Sequence, residues 1–218
     1  MKRRDFVATV SLGLAAALPG ISESVTAAAE PVDAAASGAR NAAGLEFASA
    51  VEAAEAIRKK RISSFEMTQQ MFARIDKYNP KLNAFAYQLR EDAIARAKQA
   101  DEERAGGKTL GPLHGVPIHV KESFAVAGHP CTWGIPSLKD SKAPENSEVV
   151  TRLLTAGGIL LGATNVPINL GDWQSYNDIY GTTNNPWDLT RSPGGSSGGT
   201  AFCPVSEWDM SSTTRTAR

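Results

Sequence analysis

Ser147-Glu-Val-Val-Thr-Arg-Leu-Leu-Thr-Ala-Gly-Gly-Ile-Leu-Leu-Gly-Ala163 is the stretch that decides the fold class. Its first part places Val149, Val150, Leu153 and Leu154 at helical spacing. That spacing predicts a helix from Ser147 to Ala156 with those four side chains on its buried face. Gly157-Gly158 is its stop. Ile159 to Ala163 then runs without a charge, as a strand buried on both faces does. Helix, glycine stop and buried strand together make the repeating unit of an α/β fold.

The same alternation continues outward. Ser49-Ala-Val-Glu52 and Ser63-Ser-Phe-Glu66 both fit the capping box that opens a helix. Behind the second, Met67, Met71, Ile75 and Tyr78 form one apolar stripe, and Asn79-Pro80 is the expected stop. Leu82 to Leu89 alternates as a strand does, and Arg90 to Ala105 reads as a charged, Ala-rich helix closed by Gly106-Gly107. Val116 to Lys121 is another short strand. The expected architecture is α/β, a mixed or parallel sheet flanked by helices, with a domain that runs from 45 to 200.

A length of 218 residues fits one domain, or at most two small ones. Lys plus Arg and Asp plus Glu both total 23, so charge gives no reason to expect nucleic acid as a partner. Apolar residues at 42% and charged residues at 21% exclude wholesale disorder. Cys131 and Cys203 permit at most one disulfide and have no CxxC partner, and the histidines are His114, His119 and His129. That inventory argues against a structural zinc, and no metal or cofactor is expected.

Residues 1–29 read as an address. Lys2, Arg3 and Arg4 precede an uncharged run from Phe6 to Leu18, and Ala27-Ala28-Ala29 supplies a small-residue cleavage site. The run is too short to span a membrane, so no stable anchor is expected. Arg3-Arg4-Asp5-Phe6-Val7 resembles the twin-arginine motif, which implies bacterial export machinery as a partner and a periplasmic or secreted destination. Residues 30–44, Ala-rich with Pro31, Gly38 and Gly44, read as a flexible lead-in.

Two stretches carry chemistry. Arg191-Ser-Pro-Gly-Gly-Ser-Ser-Gly-Gly-Thr200 sets four glycines around two serines. Such a loop can present a hydroxyl in a conformation that a side chain would block. A flexible linker, a phosphate cradle and a plain turn are competing readings, though no Gly-Lys-Ser/Thr ending supports the cradle. Gly115-Val-Pro-Ile-His-Val-Lys-Glu-Ser123 puts Pro117, His119 and Lys121 on one face of a strand and Val116, Ile118 and Val120 on the other. Lys121 at the end of that strand is either a desolvated base or an amine that snorkels to water.

Taken together, the two stretches resemble the amidase signature family of hydrolases. Gly111-Pro-Leu-His-Gly-Val-Pro-Ile-His-Val-Lys-Glu is similar to that family's lysine strand. Asn146 to Gly158 is similar to its following helix. Leu161-Gly-Ala-Thr-Asn-Val-Pro167 and Tyr180-Gly-Thr-Thr-Asn-Asn-Pro186 are similar to its approach to the serine loop. The resemblance covers roughly 45–200. It implies hydrolysis of a small-molecule carboxylic amide to acid plus ammonia or amine through a Ser–cis-Ser–Lys triad. By motif position Lys121 is then the general base and Ser196 the bridging residue, preceded by a cis peptide bond. Gly194, Gly195 and Ser197 support the loop, and Leu170 to Ser175, with Leu170 and Asp172 foremost, lines the substrate side. His119 and Glu122 depart from the family pattern, which usually has a small or apolar residue and an Asp there. His119 is expected to be structural.

The family's acyl-forming serine lies in a second Gly-Gly-Ser loop, at a spacing that falls beyond Arg218. That loop also supplies the oxyanion-hole amides. Residues 201–218 lack Gly, Leu and Ile and read like a translation in another frame. The fold is therefore expected to be incomplete at the C-terminus, and the 218-residue chain to be inactive as an amidase. Alternatives are a non-catalytic exported remnant, a chain that does not fold, and a protein like the family's representative in tRNA-dependent amidotransferases. Export argues against the last, because charged tRNA is cytoplasmic.

Overall fold

The computed structural model describes Leu45 and residues 48–200. The expected signal sequence, the lead-in and the tail after Thr200 lie outside the described residues.

Both capping boxes form. Ser49 opens α1 (Ala50–Arg58) and Ser63 opens α2 (Ser64–Leu82), each side chain accepting from the backbone of the glutamate three residues on. Pro80 does not stop α2, as the sequence led us to expect. Pro80 sits in the last turn, and the helix ends two residues later at Leu82, capped by Asn83 in the left-handed conformation (φ 49°). Asn79 Oδ1 accepts from the N–H groups of Ala84 and Phe85 at 2.7 and 3.1 Å and leads the chain into β1 (Phe85–Gln88).

The helix α3 spans Arg90–Ala105, as its composition predicts. The lysine strand is β2 (Pro117–Lys121), followed by α4 (Glu148–Thr155) and β3 (Ile159–Thr164). On α4, Val150 is buried, but Val149 is 45% exposed, against the predicted face. A helix of eight residues buries too narrow a stripe for adjacent valines to share it.

The sheet is mixed, in the order β1-β3-β2, with β3 antiparallel to β1 and parallel to β2. Every residue of β3 is buried. Ile159 and Leu161 face a core made by Met71, Phe72 and Ile75 of α2 and Ala93, Ala97 and Ala100 of α3. Leu160 and Ala163 face the other side, with Val120, Val126 and Val150. Strict alternation would not put Leu160 and Ala163 on one face. The register slips between Ile118 and Val120, and Gly162 (φ 151°) absorbs the extra residue as a bulge. A third cluster joins Leu45, Ile57, Ile62, Met67 and Val116. The sheet therefore has helices on both faces, and its parallel pair ends at Lys121 and Thr164, side by side. In open α/β sheets the carboxyl ends of parallel strands are where sites form.

Candidate active site

The serine loop docks on those strand ends. Gly199 lies so close to the sheet that a Cβ there would meet Ala84 O at 2.5 Å and Asn165 N at 2.8 Å. Thr200 Oγ1 is 3.0 Å from Thr164 Oγ1. This docking brings Ser196 across 75 residues of sequence to Lys121, whose Nζ donates to Ser196 Oγ at 2.7 Å. Ser196 Oγ in turn donates to Leu170 O at 3.3 Å. Lys121 is half-buried, and desolvation holds its amine below the ordinary lysine pKa.

The other predicted site residues divide. Gly194 and Gly195 both have positive φ, 83° and 61°, so the loop does use the freedom of glycine. Ser197 is exposed, and its contribution to the loop is a backbone one, its carbonyl accepting from Thr200 N at 2.9 Å. The serine that holds the loop is Ser175. Its Oγ accepts from Gly198 N at 2.9 Å and donates to Gly195 O at 3.3 Å. Ser192 Oγ accepts from Gly194 N at 3.1 Å.

Leu170 is at the site through its carbonyl, aimed by two successive left-handed residues, Asn169 (φ 53°) and Leu170 (φ 57°). Asp172 lies in the same segment, but its carboxylate accepts from Trp173 N at 2.5 Å and bonds the Tyr176 hydroxyl rather than the Lys–Ser pair.

The expected cis bond before Ser196 is absent: all described peptide bonds are trans. A non-proline cis bond costs about 3–4 kcal/mol and persists only where packing enforces it. Among the described residues, nothing lies within 4 Å of where a Cβ on Gly194 or Gly195 would stand.

His119 shares the strand with Lys121, but burial lowers its pKa to about 4. It is therefore neutral near pH 7 and adds no charge beside the lysine. Its ring meets Phe85 edge-on, with centroids 6.3 Å apart.

Sequence reasoning noticed Glu122 only as a departure from pattern. It is fully buried, and its carboxylate accepts from Thr132 N at 2.5 Å, Thr132 Oγ1 at 2.7 Å, Trp133 N at 3.1 Å and the Tyr180 hydroxyl at 3.0 Å. Trp133 O accepts from Asn169 N at 2.7 Å. Glu122 thus anchors the turn that holds the Asn169–Leu170 corner. Asn165 and Asn177 knit the same region through a 2.9 Å side-chain bond.

No group of three or more His, Cys, Asp or Glu side chains that could hold a metal occurs among the described residues. A cleft of about 660 Å³ lined by Val51, Ala54, Ile57, Arg104 and Leu113 contains neither Lys121 nor Ser196.

The arrangement is a desolvated amine hydrogen-bonded to a hydroxyl at the mouth of a parallel strand pair. It can move a proton without histidine. Residues 66–203 match the Amidase family. The acylamidase of Rhodococcus erythropolis is 40% identical over 153 residues, 70% of this chain and 32% of that protein. The indoleacetamide hydrolase of Bradyrhizobium diazoefficiens is 43% identical over 151 residues, 69% of this chain and 29% of that protein. A component of the glutamyl-tRNA(Gln) amidotransferase of Chloroflexus aurantiacus is 41% identical over 140 residues, 64% of this chain and 29% of that protein. The crystal structure of a bacterial aryl acylamidase of the amidase signature enzymes superposes with a TM-score of 0.67 at 32% identity, covering 71% of this chain and 32% of that one. The chain spans about a third of the length of these relatives. With a family match over more than half of its residues, the chain belongs to the amidase signature family.

Proposed function

We propose that these residues supply the proton-handling half of an amide-hydrolysing site. Neutral Lys121 takes the proton of Ser196 Oγ, which takes one from an acyl-forming serine. The relay then runs backward to protonate the leaving ammonia or amine. The observation that carries the reading is the 2.7 Å bond between Lys121 Nζ and Ser196 Oγ. The substrate class is a small carboxylic amide, in keeping with the acylamidase likeness.

In this reading the acyl-forming serine and the oxyanion amides come from a later Gly-Gly-Ser loop outside the 218 residues. The test is amide turnover by a chain extended through such a loop. It should release amine from an aryl amide and lose about 10²–10⁴-fold in kcat on Lys121→Ala. An extended enzyme indifferent to Lys121→Ala sinks the reading.

A second reading, a component of a tRNA-dependent amidotransferase, draws on the likeness to the Chloroflexus aurantiacus protein. The N-terminal motif weighs against it. We infer export by the twin-arginine route from Arg3-Arg4 and the run that follows. Replacing both arginines with lysine should leave a reporter fusion in the cytoplasm, and undiminished export would refute this.

A further inference from the structure

Three features surround the Ser196 hydroxyl besides the lysine. Ser196 is half-buried. The N–H groups of Gly195, Ser196 and Ser197 have no acceptor among the described residues, whereas Gly194 N is bound to Ser192 Oγ and Gly198 N to Ser175 Oγ. Among the described residues, nothing comes within 4 Å of where a Cβ on Gly194 or Gly195 would stand. A hydroxyl bonded to an amine, with unclaimed amides in its own loop, has the parts of a serine–lysine nucleophile with its own anion donors.

We propose that Ser196 is itself an acyl acceptor, attacking activated carboxylic esters such as aryl acetates with Lys121 as its base. The Oγ–carbonyl carbon bond forms and the carbonyl–aryl oxygen bond breaks. The Oγ proton passes to Lys121 Nζ and from there to the departing aryl oxide. The products are acyl-Ser196 and the free phenol. Amides are outside this activity, because an amine leaves only when protonated in the transition state, whereas an aryl oxide leaves as the anion. A shuttle and a nucleophile make the same demand on Ser196, an Oγ able to give up its proton to Lys121. This activity therefore goes beyond the relay assigned above and needs no second serine.

The probe is para-nitrophenyl acetate, incubated with the 218-residue chain. Para-nitrophenol release is followed spectroscopically, and the acetyl group is located by peptide mass spectrometry. The expected result is one acetyl group on Ser196, absent in Ser196→Ala and formed at least about 100-fold more slowly in Lys121→Met. Circular dichroism of both variants checks that they fold, and the wild-type chain unfolded in urea must lose the selectivity for Ser196. Acetylation of Ser197 or of lysines instead, a Ser196 rate indifferent to Lys121→Met, or no adduct at all would overturn the proposal. The amidase reading is tested separately by amide turnover in a longer chain, so either can fail alone.

Discussion

Lys121 and His119 sit two residues apart on one strand and answer pH in the same direction for the same reason. Desolvation lowers both pKa values, so the folded state releases its proton before the unfolded chain does. Between the folded and unfolded pKa the unfolded state binds more protons, and stability rises with pH. For His119 that window runs from about 4 to 6.5. Acidification across it should cost on the order of 2–3 kcal/mol, and His119→Phe should flatten the decline in urea titrations. For Lys121 the window lies below 10.5, and there Lys121→Met should remove a rise in stability with pH. Glu122→Gln keeps size but turns an N–H toward Trp133 N. A loss of about 1–3 kcal/mol is expected, with faster hydrogen exchange at Thr132 and Trp133. Lys121 and Ser196 were legible from their motifs. Glu122, Ser175, Asn165 and Asn177 were not, because a buried polar residue looks like a surface one until its partners from other segments are placed around it.

At the scale of elements, the capping boxes, α3 and β3 were written in local sequence, where spacing decides. Removing a cap tests this directly: Ser63→Ala should cost about 1 kcal/mol of unfolding free energy. Pro80 was misread because the sequence does not say that Asn79 and Asn83 together build the exit from α2. The bulge at Gly162 was likewise invisible, being a compromise between the registers of two neighbouring strands. Gly199→Ala is the sharpest probe of how the loop meets the sheet. Its Cβ would stand 2.5 Å from Ala84 O, so the loop must lift. The Lys121–Ser196 contact should then be lost while the far-UV spectrum stays that of the wild type.

Over the whole molecule, two clusters cover opposite faces of one sheet, and β3 is common to both. Leu161→Ala should cost about 2–5 kcal/mol, since its neighbours come from two helices that cannot both close over the gap. Among the described residues, hydrogen exchange should be slow at β3 and fast around Trp173 and Trp187, which are 86% and 74% exposed. The α/β class was legible from the alternation of elements. The site was legible in outline, since two motifs named the pair, while the corner at Asn169–Leu170 depended on contacts no short stretch contains.

The central claim is that the fold makes Lys121 a desolvated base bonded to Ser196. Heteronuclear NMR of isotopically labelled lysine amines, titrated with pH, tests it directly in the 218-residue chain. One amine, absent in Lys121→Met and shifted in Ser196→Ala, should titrate below 10.5 and apart from the rest. If all the lysine amines titrate together at the ordinary value, and Ser196→Ala moves none of them, the account is contradicted.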